Sequence, residues 1–177
     1  MTGLRRFSQA ISEGDGISLI VDVRSLEDAR SAQARGAEGV AVRAQVDGVR
    51  EATELPILWR GPGSPHDAVR CGADAYLFAD LDDERLDELH AEALDLGLDC
   101  VVEVRDEEEL ELALDRLDPE IILLAADGAE AVLDLLPDVP AGKLAIADAR
   151  ETTLQVIAEL ERAGVDAVLV GDAPPQA

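Results

Sequence analysis

The chain has 177 residues, 47% of them hydrophobic, which is enough for one well-buried core and short for two. Its formal net charge of −24 argues against nucleic acids and anionic membranes as partners, because an acidic surface repels phosphate. Apolar stretches such as Ile17–Val21 and Ile121–Ala126 are far shorter than the roughly 18 residues that a membrane-spanning helix needs, and no secretory signal pattern follows Met1, so we expect a cytoplasmic protein.

Lysine is almost missing from this acidic protein, since Lys143 is the only one among 15 basic residues. Such a composition fits a salt-rich cytoplasm, where screening weakens the repulsion between acidic side chains. It fits equally well a genome that favours arginine. The sequence leaves both explanations open.

Eight apolar segments alternate with amphipathic patterns along the chain. We predict strands at about residues 17–23, 38–42, 56–60, 74–78, 99–104, 120–125, 143–147 and 167–170. Between them we predict helices at Leu26–Arg35, Pro65–Arg70, Asp82–Leu96, Asp106–Leu117, Ala129–Leu135 and Thr152–Ala163, with a short helix-like crossover between the second and third strands. The helical pattern is clearest at Asp82–Leu96 and Asp106–Leu117, where leucine recurs every three or four residues and acids occupy the first turn.

A short phrase recurs where helices pass into strands. It reads ARGAEGVAV at 34–42, RCGADAYLF at 70–78, LGLDCVVEV at 96–104 and RAGVDAVLV at 162–170. The glycine in each copy can take the left-handed conformation that ends a helix, and the apolar run after it then forms a strand. The repetition predicts a series of similar strand and helix units.

Alternating strands and helices with nearly all-apolar strands predict a parallel sheet covered by helices, and eight such units predict a compact (β/α)8 TIM barrel that forms one domain over residues 1–177. The alternative is an open, doubly wound parallel sheet. We expect the last helix to be missing, because only GDAPPQA follows Val170. Residues 1–12 form an N-terminal extension whose helical segment, Leu4–Ile11, we expect to cover one barrel end or part of the uncovered seam between the last and first strands.

Ionisable residues follow several of the predicted strands: Asp22, Arg24, Arg60, Glu103 and Asp148. Functional side chains of a parallel barrel project from the carboxyl ends of its strands, and the alternation along each strand directs these residues to the same interior end. Glu103 would then meet opposite charges despite its position in a run of valines. The alternative is a buried ion-pair network that fixes strand register and binds nothing.

Three stretches carry a family resemblance: ALDLGLDCVVEVRDEEELELAL at 93–114, LPILWR at 55–60 and AGVDAVLVGDA at 163–173. With the order of elements, they make residues 7–173 resemble a divergent and shortened indole-3-glycerol-phosphate synthase, a phosphate-binding TIM barrel of tryptophan biosynthesis. The resemblance implies a lyase that needs no cofactor. It would close a pyrrole ring on an anthranilate-derived ribulose phosphate, with loss of CO2 and water.

The resemblance also implies a set of catalytic residues. In that family the first strand ends in Glu-x-Lys, the third ends in a catalytic Lys, and the fifth carries a Glu. The matching positions here hold Asp22, Arg24, Arg60 and Glu103. An arginine, with a pKa above about 12, does not lose its proton near neutral pH, so Arg60 is suited to binding a carboxylate or phosphate and is a poor general acid.

The phosphate site that the resemblance implies departs further from the family. The family binds phosphate with a Ser-Gly pair after strand seven and a glycine-containing turn after strand eight. The corresponding pairs here are Asp148-Ala149 and Gly171-Asp172, which makes Gly171 and Asp148 the candidates for substrate binding. Asp148 would repel a phosphate dianion. After strand six, LLAADG also lacks the family's amide and guanidinium groups.

Two functional hypotheses follow. The first is an indole-3-glycerol-phosphate synthase-like barrel, or a diverged relative that binds a small anionic, sugar phosphate-like ligand. The second is a non-catalytic pseudoenzyme that serves as a binding or assembly module, with a homo-oligomer contact along the apolar strip between strands eight and one. A phosphoribosyl-anthranilate isomerase is a weaker alternative, because the first strand lacks the cysteine that such an enzyme uses.

Other motifs have ordinary structural interpretations. Cys71 and Cys100 lack partners at metal-ligand spacing and are predicted to be reduced core residues. His66 and His90 are predicted on solvated helix surfaces. The acids at 106–109 suit the first turn of a helix better than a metal site, and GPGSP at 61–65 predicts a rigid turn with Ser64 as the helix cap. We predict no metal site.

Overall fold

The computed structural model describes residues 6–172, which form a closed barrel of eight parallel strands in the order β1 to β8. The strands are β1 (Ser18–Val23), β2 (Gly39–Val42), β3 (Ile57–Trp59), β4 (Ala75–Phe78), β5 (Asp99–Val104), β6 (Ile121–Leu124), β7 (Leu144–Asp148) and β8 (Ala167–Val170). Pairing of β8 with β1, in which Val170 is the register partner of Val21, closes the barrel. The predicted (β/α)8 barrel is therefore confirmed, and the open sheet is excluded.

Helices cover the outside of this barrel. They are α1 (Arg6–Ser12), α2 (Leu26–Ala34), α3 (Val49–Ala52), α4 (Pro65–Arg70), α5 (Leu86–Asp95), α6 (Glu107–Arg116), α7 (Ala129–Leu135) and α8 (Leu154–Ala163), and a 3-10 turn at Leu136–Asp138 follows α7. As predicted, Ser64 caps α4 with Pro65 in its first turn, and the acids after Asp106 fill the first turn of α6. In the described range, no helix is both long enough and apolar enough to span a membrane.

Helix α1 closes the amino-terminal end of the barrel. Phe7 is fully buried and Ile11 nearly so, and both belong to the same apolar cluster as the interior residues Ile20 and Leu58. The backbone N–H of Ser8 also donates to the Asp99 carboxylate at 2.9 Å. The expectation that an N-terminal helix covers one barrel end is confirmed from Arg6 onwards, and residues 1–5 of that extension lie outside the described range.

Alternation along the strands separates the core into two apolar clusters. Side chains such as Ile20, Leu123 and Ile146 fill the barrel interior. Their strand neighbours, such as Val21 and Ala147, belong to the larger cluster between the strands and the outer helices. A side chain two residues beyond an interior residue therefore faces the interior again, at the carboxyl-terminal end of the strands, which we call the barrel mouth.

The recurring Gly-x-Asp phrase has a structural role at the opposite end. Gly72 and Gly164 have φ values of 79° and 99°, in the left-handed region predicted for a helix end. The aspartate two residues later binds a neighbouring strand, since Ile57 N–H donates to Asp74 at 2.9 Å and Ala145 N–H donates to Asp166 at 2.8 Å. These carboxylates satisfy backbone donors where β3 and β7 begin.

The seam between β8 and β1 is largely buried in the described residues. The outward-facing side chains Val21, Val23, Val168 and Val170 are at most 2% exposed. Beyond β8, the carbonyl of Asp172 accepts a hydrogen bond from the Arg35 guanidinium at 3.0 Å. The predicted absence of a last helix falls on residues 173–177, outside the described range, and a homo-oligomer through this seam stays a prediction.

Candidate functional site

The predicted charged residues converge on the barrel mouth because each lies two residues beyond an interior side chain. Asp22 follows Ile20, Arg60 follows Leu58, and Asp148 follows Ile146, all three of which belong to the interior cluster. Glu103 likewise follows the interior residue Val101. The alternation in the sequence thus predicted the placement of these four side chains.

A buried ion pair joins β1 to the end of β3. Arg60 Nη1 donates to Asp22 Oδ1 at 3.3 Å, and the two side chains are only 5% and 8% exposed. A second cation, Arg43 at the end of β2, approaches Asp22 Oδ2 through Nε at 3.6 Å. Burial, with the positive charge of Arg150, lowers the pKa of Arg60 from its ordinary value, against the opposing effect of Asp22. The Nε of Arg60 is buried without a hydrogen-bond partner among residues 6–172.

Glu103 forms an ion pair with Arg105, which follows it by two residues. Arg105 Nη2 donates to Glu103 Oε1 at 2.7 Å, and Arg105 Nη1 lies 3.3 Å from Glu109 Oε1 in the first turn of α6. Glu109 also accepts the backbone N–H of Arg105 at 2.8 Å. Glu103 does have the predicted opposite-charge neighbour, but this neighbour is Arg105, and no ion pair within the described range links Glu103 to Arg24 or Arg60.

Asp148 forms a two-pronged ion pair with Arg150. Arg150 Nε donates to Oδ1 at 2.8 Å and Nη2 donates to Oδ2 at 2.6 Å. Burial raises the pKa of Asp148, but the hydrogen bonds and charge of Arg150 outweigh this effect and leave that pKa below its ordinary value. Arg150 therefore offsets much of the repulsion that Asp148 alone would exert on an anion.

A cavity of about 550 Å³ opens among the loops that follow β1, β2, β6, β7 and β8. Its lining includes the strand-end residues Asp22, Arg24, Arg43, Asp148, Arg150 and Gly171, together with the exposed acids Asp127, Glu151 and Asp172. Arg60 and Glu103 do not line this open volume. Of the residues predicted from the sequence, Asp22, Arg24, Asp148 and Gly171 thus line the cavity, whereas Arg60 and Glu103 lie outside its lining.

Arg24 is the most accessible of the predicted cations. Its side chain is exposed, and it makes no ion pair within 4 Å to any residue that the structure describes. Its backbone N–H donates to Asp28 at 3.0 Å, which fixes the start of the loop to α2. The guanidinium is therefore available to an anion that enters the cavity.

Three functional candidates were missed in the sequence: Arg43, Arg105 and Arg150. Each lies two residues beyond an interior-facing residue, namely Ala41, Glu103 and Asp148. The two-residue alternation that identified Asp22 would also have identified these three arginines if it had been continued beyond the ends of the predicted strands. They are the direct partners of the three carboxylates at the mouth.

Residues with ordinary interpretations lie away from the mouth. Cys71 and Cys100 are buried, as predicted, and form no disulfide with a described residue. His66 is on the surface, where its Nε2 lies 3.2 Å from Glu92. The surface interpretation of His90 is wrong, because the ring is half-buried with its centroid 5.8 Å from that of Phe78, and burial lowers its pKa. Among residues 6–172, no cluster of three or more potential ligands could hold a metal ion.

Known structures share the architecture of the chain. The N-acetylmannosamine-6-phosphate 2-epimerase of Clostridium perfringens superposes with a TM-score of 0.74 over 90% of this chain and 88% of that one, at 14% identity. A mutant tryptophan synthase alpha-subunit from Pyrococcus furiosus gives a TM-score of 0.67, covering 88% of this chain and 87% of that one, at 16% identity. At these identities the likeness establishes the fold alone.

Sequence comparison identifies a family. Residues 65–175 match the family model described as indole-3-glycerol phosphate synthase. A protein of that name from Variovorax paradoxus is 33% identical over 94% of this chain and 64% of its own length. Another, from a Geobacillus species, is 34% identical over 73% of this chain and 55% of its own length. The chain therefore spans 55% to 64% of these relatives, and it belongs to the indole-3-glycerol phosphate synthase family.

Proposed function

We propose that the barrel binds a small anionic, sugar-derived ligand in the mouth cavity. The observation that carries this proposal is the convergence of oppositely charged interior side chains beside an open volume of about 550 Å³. Burying charged side chains costs free energy because they lose contact with water, and a cavity that admits water or a polar ligand lowers this cost. The Nε of Arg60 is a buried donor without an acceptor among the described residues, and a ligand oxygen could accept its hydrogen bond.

The residues have distinct roles in this proposal. Arg24, exposed and without an ion pair to the described residues, is the first contact for a negatively charged group. Arg60 supplies a fixed, buried positive charge near the ligand, and Asp22 holds its guanidinium in place. Glu103, oriented by Arg105 beside this cavity and not in its lining, would offer a carboxylate oxygen to a part of the ligand that extends beyond the cavity.

The finer form of the proposal is the ring closure that gives the family its name. That reaction needs a proton donor where this chain has Arg60, and a guanidinium retains its proton at neutral pH. Arg60 can stabilise negative charge that develops on the ligand but transfers protons poorly. We therefore expect ring closure by the unmodified chain to be slow.

A non-catalytic binding module is the second candidate, and the ion pairs at the mouth favour it. Each mouth carboxylate already has a cationic partner: Asp22 has Arg60, Glu103 has Arg105, and Asp148 has Arg150. A carboxylate that already binds an arginine of its own chain has fewer oxygen lone pairs available to a ligand. In this alternative the same cavity binds the ligand without turnover.

The experiment that separates these candidates measures binding and turnover on the same preparation. Calorimetry with the anthranilate-derived ribulose phosphate, at low and high salt, is expected to show saturable binding. Release of the indole product, followed by fluorescence, is expected to be slow, and Glu103→Gln should reduce whatever turnover is seen while Glu111→Gln, on the exposed side of α6, should not. Absence of binding at both salt concentrations would refute the proposal, and rescue of a tryptophan auxotroph would exclude the non-catalytic alternative.

A further inference from the structure

Three arginines lie side by side at the mouth on neighbouring strands. Asp22 pairs with Ala41 and Val23 with Val42 in the β1–β2 register, so the next step brings Arg24 opposite Arg43. Val42 pairs with Trp59 in the β2–β3 register, and the backbone N–H of Arg60 donates to the Val42 carbonyl at 2.8 Å, so Arg43 lies opposite Arg60. We call Arg24, Arg43 and Arg60 the arginine row.

Like charges directly opposite each other on paired strands repel. Among the described residues, Asp22 is the one carboxylate within ion-pair distance of the row, at 3.3 Å from Arg60 and 3.6 Å from Arg43. Arg43 and Arg60 therefore share one carboxylate, and Arg24 has no ion pair within the described range, which leaves a local excess of positive charge in a chain whose formal net charge is −24. Burial is the first cause of the lowered pKa of Arg60, and the charges of Arg150 and Arg43 lower it further.

Much of the hydrogen-bonding capacity of the row is also unused. Arg43 Nε lies 3.6 Å from Asp22 Oδ2, and the Arg43 side chain is 51% exposed. Arg24 and Arg43 both line the mouth cavity, while Arg60 Nε is buried without an acceptor. The row therefore combines accessible donors at the cavity with an unsatisfied donor in a side chain that is 5% exposed.

The opposite side of the cavity is less favourable to an anion. Arg150 already donates two short hydrogen bonds to Asp148, at 2.8 and 2.6 Å. The exposed acids Asp127, Glu151 and Asp172 line the same side, after β6, β7 and β8. A strongly charged ligand group is thus drawn away from the loops after β7 and β8 and towards β1 and β2.

We propose that the arginine row is the binding site for a dianionic phosphate monoester group, with Arg24 and Arg43 as direct donors and Arg60 as the buried charge behind them. The inference rests on the proposed function, because it assigns the position of the anion within the same mouth. A phosphate monoester carries nearly two negative charges at neutral pH, which suits a row of three guanidinium groups with one carboxylate within ion-pair distance. A planar guanidinium fork also matches phosphate oxygens geometrically.

The test compares methyl phosphate, a dianion, with dimethyl phosphate, a monoanion, by calorimetry at pH 7.5 on the unmodified chain and five variants, one of which is Gly171→Ala at the turn after β8. Arg24→Gln and Arg43→Gln are each expected to weaken methyl phosphate binding about tenfold, and the double variant about a hundredfold. Arg162→Gln is the matched control, since it removes the same charge from an exposed position at the end of α8. It should bind within about twofold of the unmodified chain, and dimethyl phosphate should bind at least about tenfold more weakly than methyl phosphate.

The outcomes separate this inference from the broader one. If the chain binds the ribulose phosphate but Arg24→Gln and Arg43→Gln behave like Arg162→Gln, the arginine row is not the site, and the broader proposal stands. Loss of binding in Gly171→Ala, with no effect of the arginine variants, would place the anion at the turn after β8 and overturn the inference. If the unmodified chain binds neither methyl phosphate nor the ribulose phosphate, both proposals fail.

Discussion

Arg60 donates a hydrogen bond to Asp22 across two strand boundaries at the barrel mouth, and both side chains are more than nine-tenths buried. Removing one member of a buried ion pair leaves an uncompensated charge in a medium of low polarity. Asp22→Asn should therefore lower the free energy of unfolding by about 3 to 5 kcal/mol, measured by urea denaturation.

Asp87→Asn provides the matched control for this substitution. Asp87 also pairs with an arginine, Arg116, at 3.2 Å, but its side chain is 75% exposed. The change in net charge is the same for both variants. The exposed pair should contribute less than about 1 kcal/mol, so equal losses of stability in the two variants would contradict the importance assigned to burial at the mouth.

The ion pair between Asp148 and Arg150 makes the stability of the folded protein depend on pH in the acidic range. The pKa of Asp148 is below its ordinary value, so its stabilising contribution is present above the unfolded-state pKa of about 3.9 and is lost as the pH falls through the lower folded-state value. Arg150→Gln removes the side-chain hydrogen bonds and the charge that lower the pKa of Asp148, so burial should bring that pKa above its value in the unmodified chain. The loss of stability caused by Arg150→Gln should then be largest near neutral pH and shrink below about pH 4.

Carbon-13 NMR titration of the aspartate carboxyl groups tests this directly. Arg70→Gln is the comparison, because the pKa of Asp67 is lowered first by its hydrogen bonds with Ser64 and only weakly by Arg70. The pKa of Asp67 should therefore stay low without the arginine, whereas that of Asp148 should rise without Arg150. Equal pKa values for Asp148 in the unmodified chain and in Arg150→Gln would show that Arg150 is not the cause.

The barrel could be predicted from the sequence because its determinants are local. Apolar runs of strand length, the acidic first turns of α2 to α7 and the glycines after α2, α4, α5 and α8 all act within a few residues. The eightfold repetition of the apolar runs, with helices between them, restricts the topology strongly. The position of α1 could be predicted only as one of two options, because the contact of Phe7 with the interior depends on residues from distant strands.

The site could be predicted only in part, because alternation gives the direction of a side chain and not its partner. Asp22, Arg60, Glu103 and Asp148 were placed correctly at the mouth by counting in steps of two. Which arginine reaches Glu103 depends on the path of the chain after β5, where Glu109 draws Arg105 back towards the strand. Alternation alone places Arg105 on the same face as Glu103, but the contact between Arg105 and Glu109 depends on the turn from β5 into α6.

The charge of the chain predicts that salt stabilises it. With 39 acidic and 15 basic residues, repulsion across the surface opposes folding at low ionic strength. Raising the salt from about 0.01 M to 1 M shortens the Debye length from about 30 Å to 3 Å and should raise the melting temperature, measured by circular dichroism. A variant that neutralises the exposed acids Asp95, Glu111 and Asp115 should respond less to salt. A melting temperature that is constant or falls with added salt would contradict this explanation.

Arg60→Lys should increase ring-closing turnover relative to the unmodified chain. A lysine at this buried position would have its pKa lowered by desolvation and by the nearby charges of Arg43 and Arg150, as burial and those same charges lower the pKa of Arg60. An amine with a pKa brought towards neutrality can donate and accept a proton during the reaction, which a guanidinium does not. The increase should appear in the fluorescence of the indole product, with a pH–rate profile that reports the new ionisation.

Arg60→Met is the matched control for this gain, because it fills similar buried space without a proton to transfer. Arg60→Met loses the hydrogen bond to Asp22 and Arg60→Lys changes its donor, so circular dichroism must first show that each variant is folded under the assay conditions. Turnover in Arg60→Lys above that in Arg60→Met, with a pH dependence that only the lysine variant shows, would identify proton transfer as the function that the guanidinium does not supply. Equal rates in the two variants, or faster ring closure by the unmodified chain, would mean that Arg60 does not limit the reaction and that the proton comes from another group at the mouth.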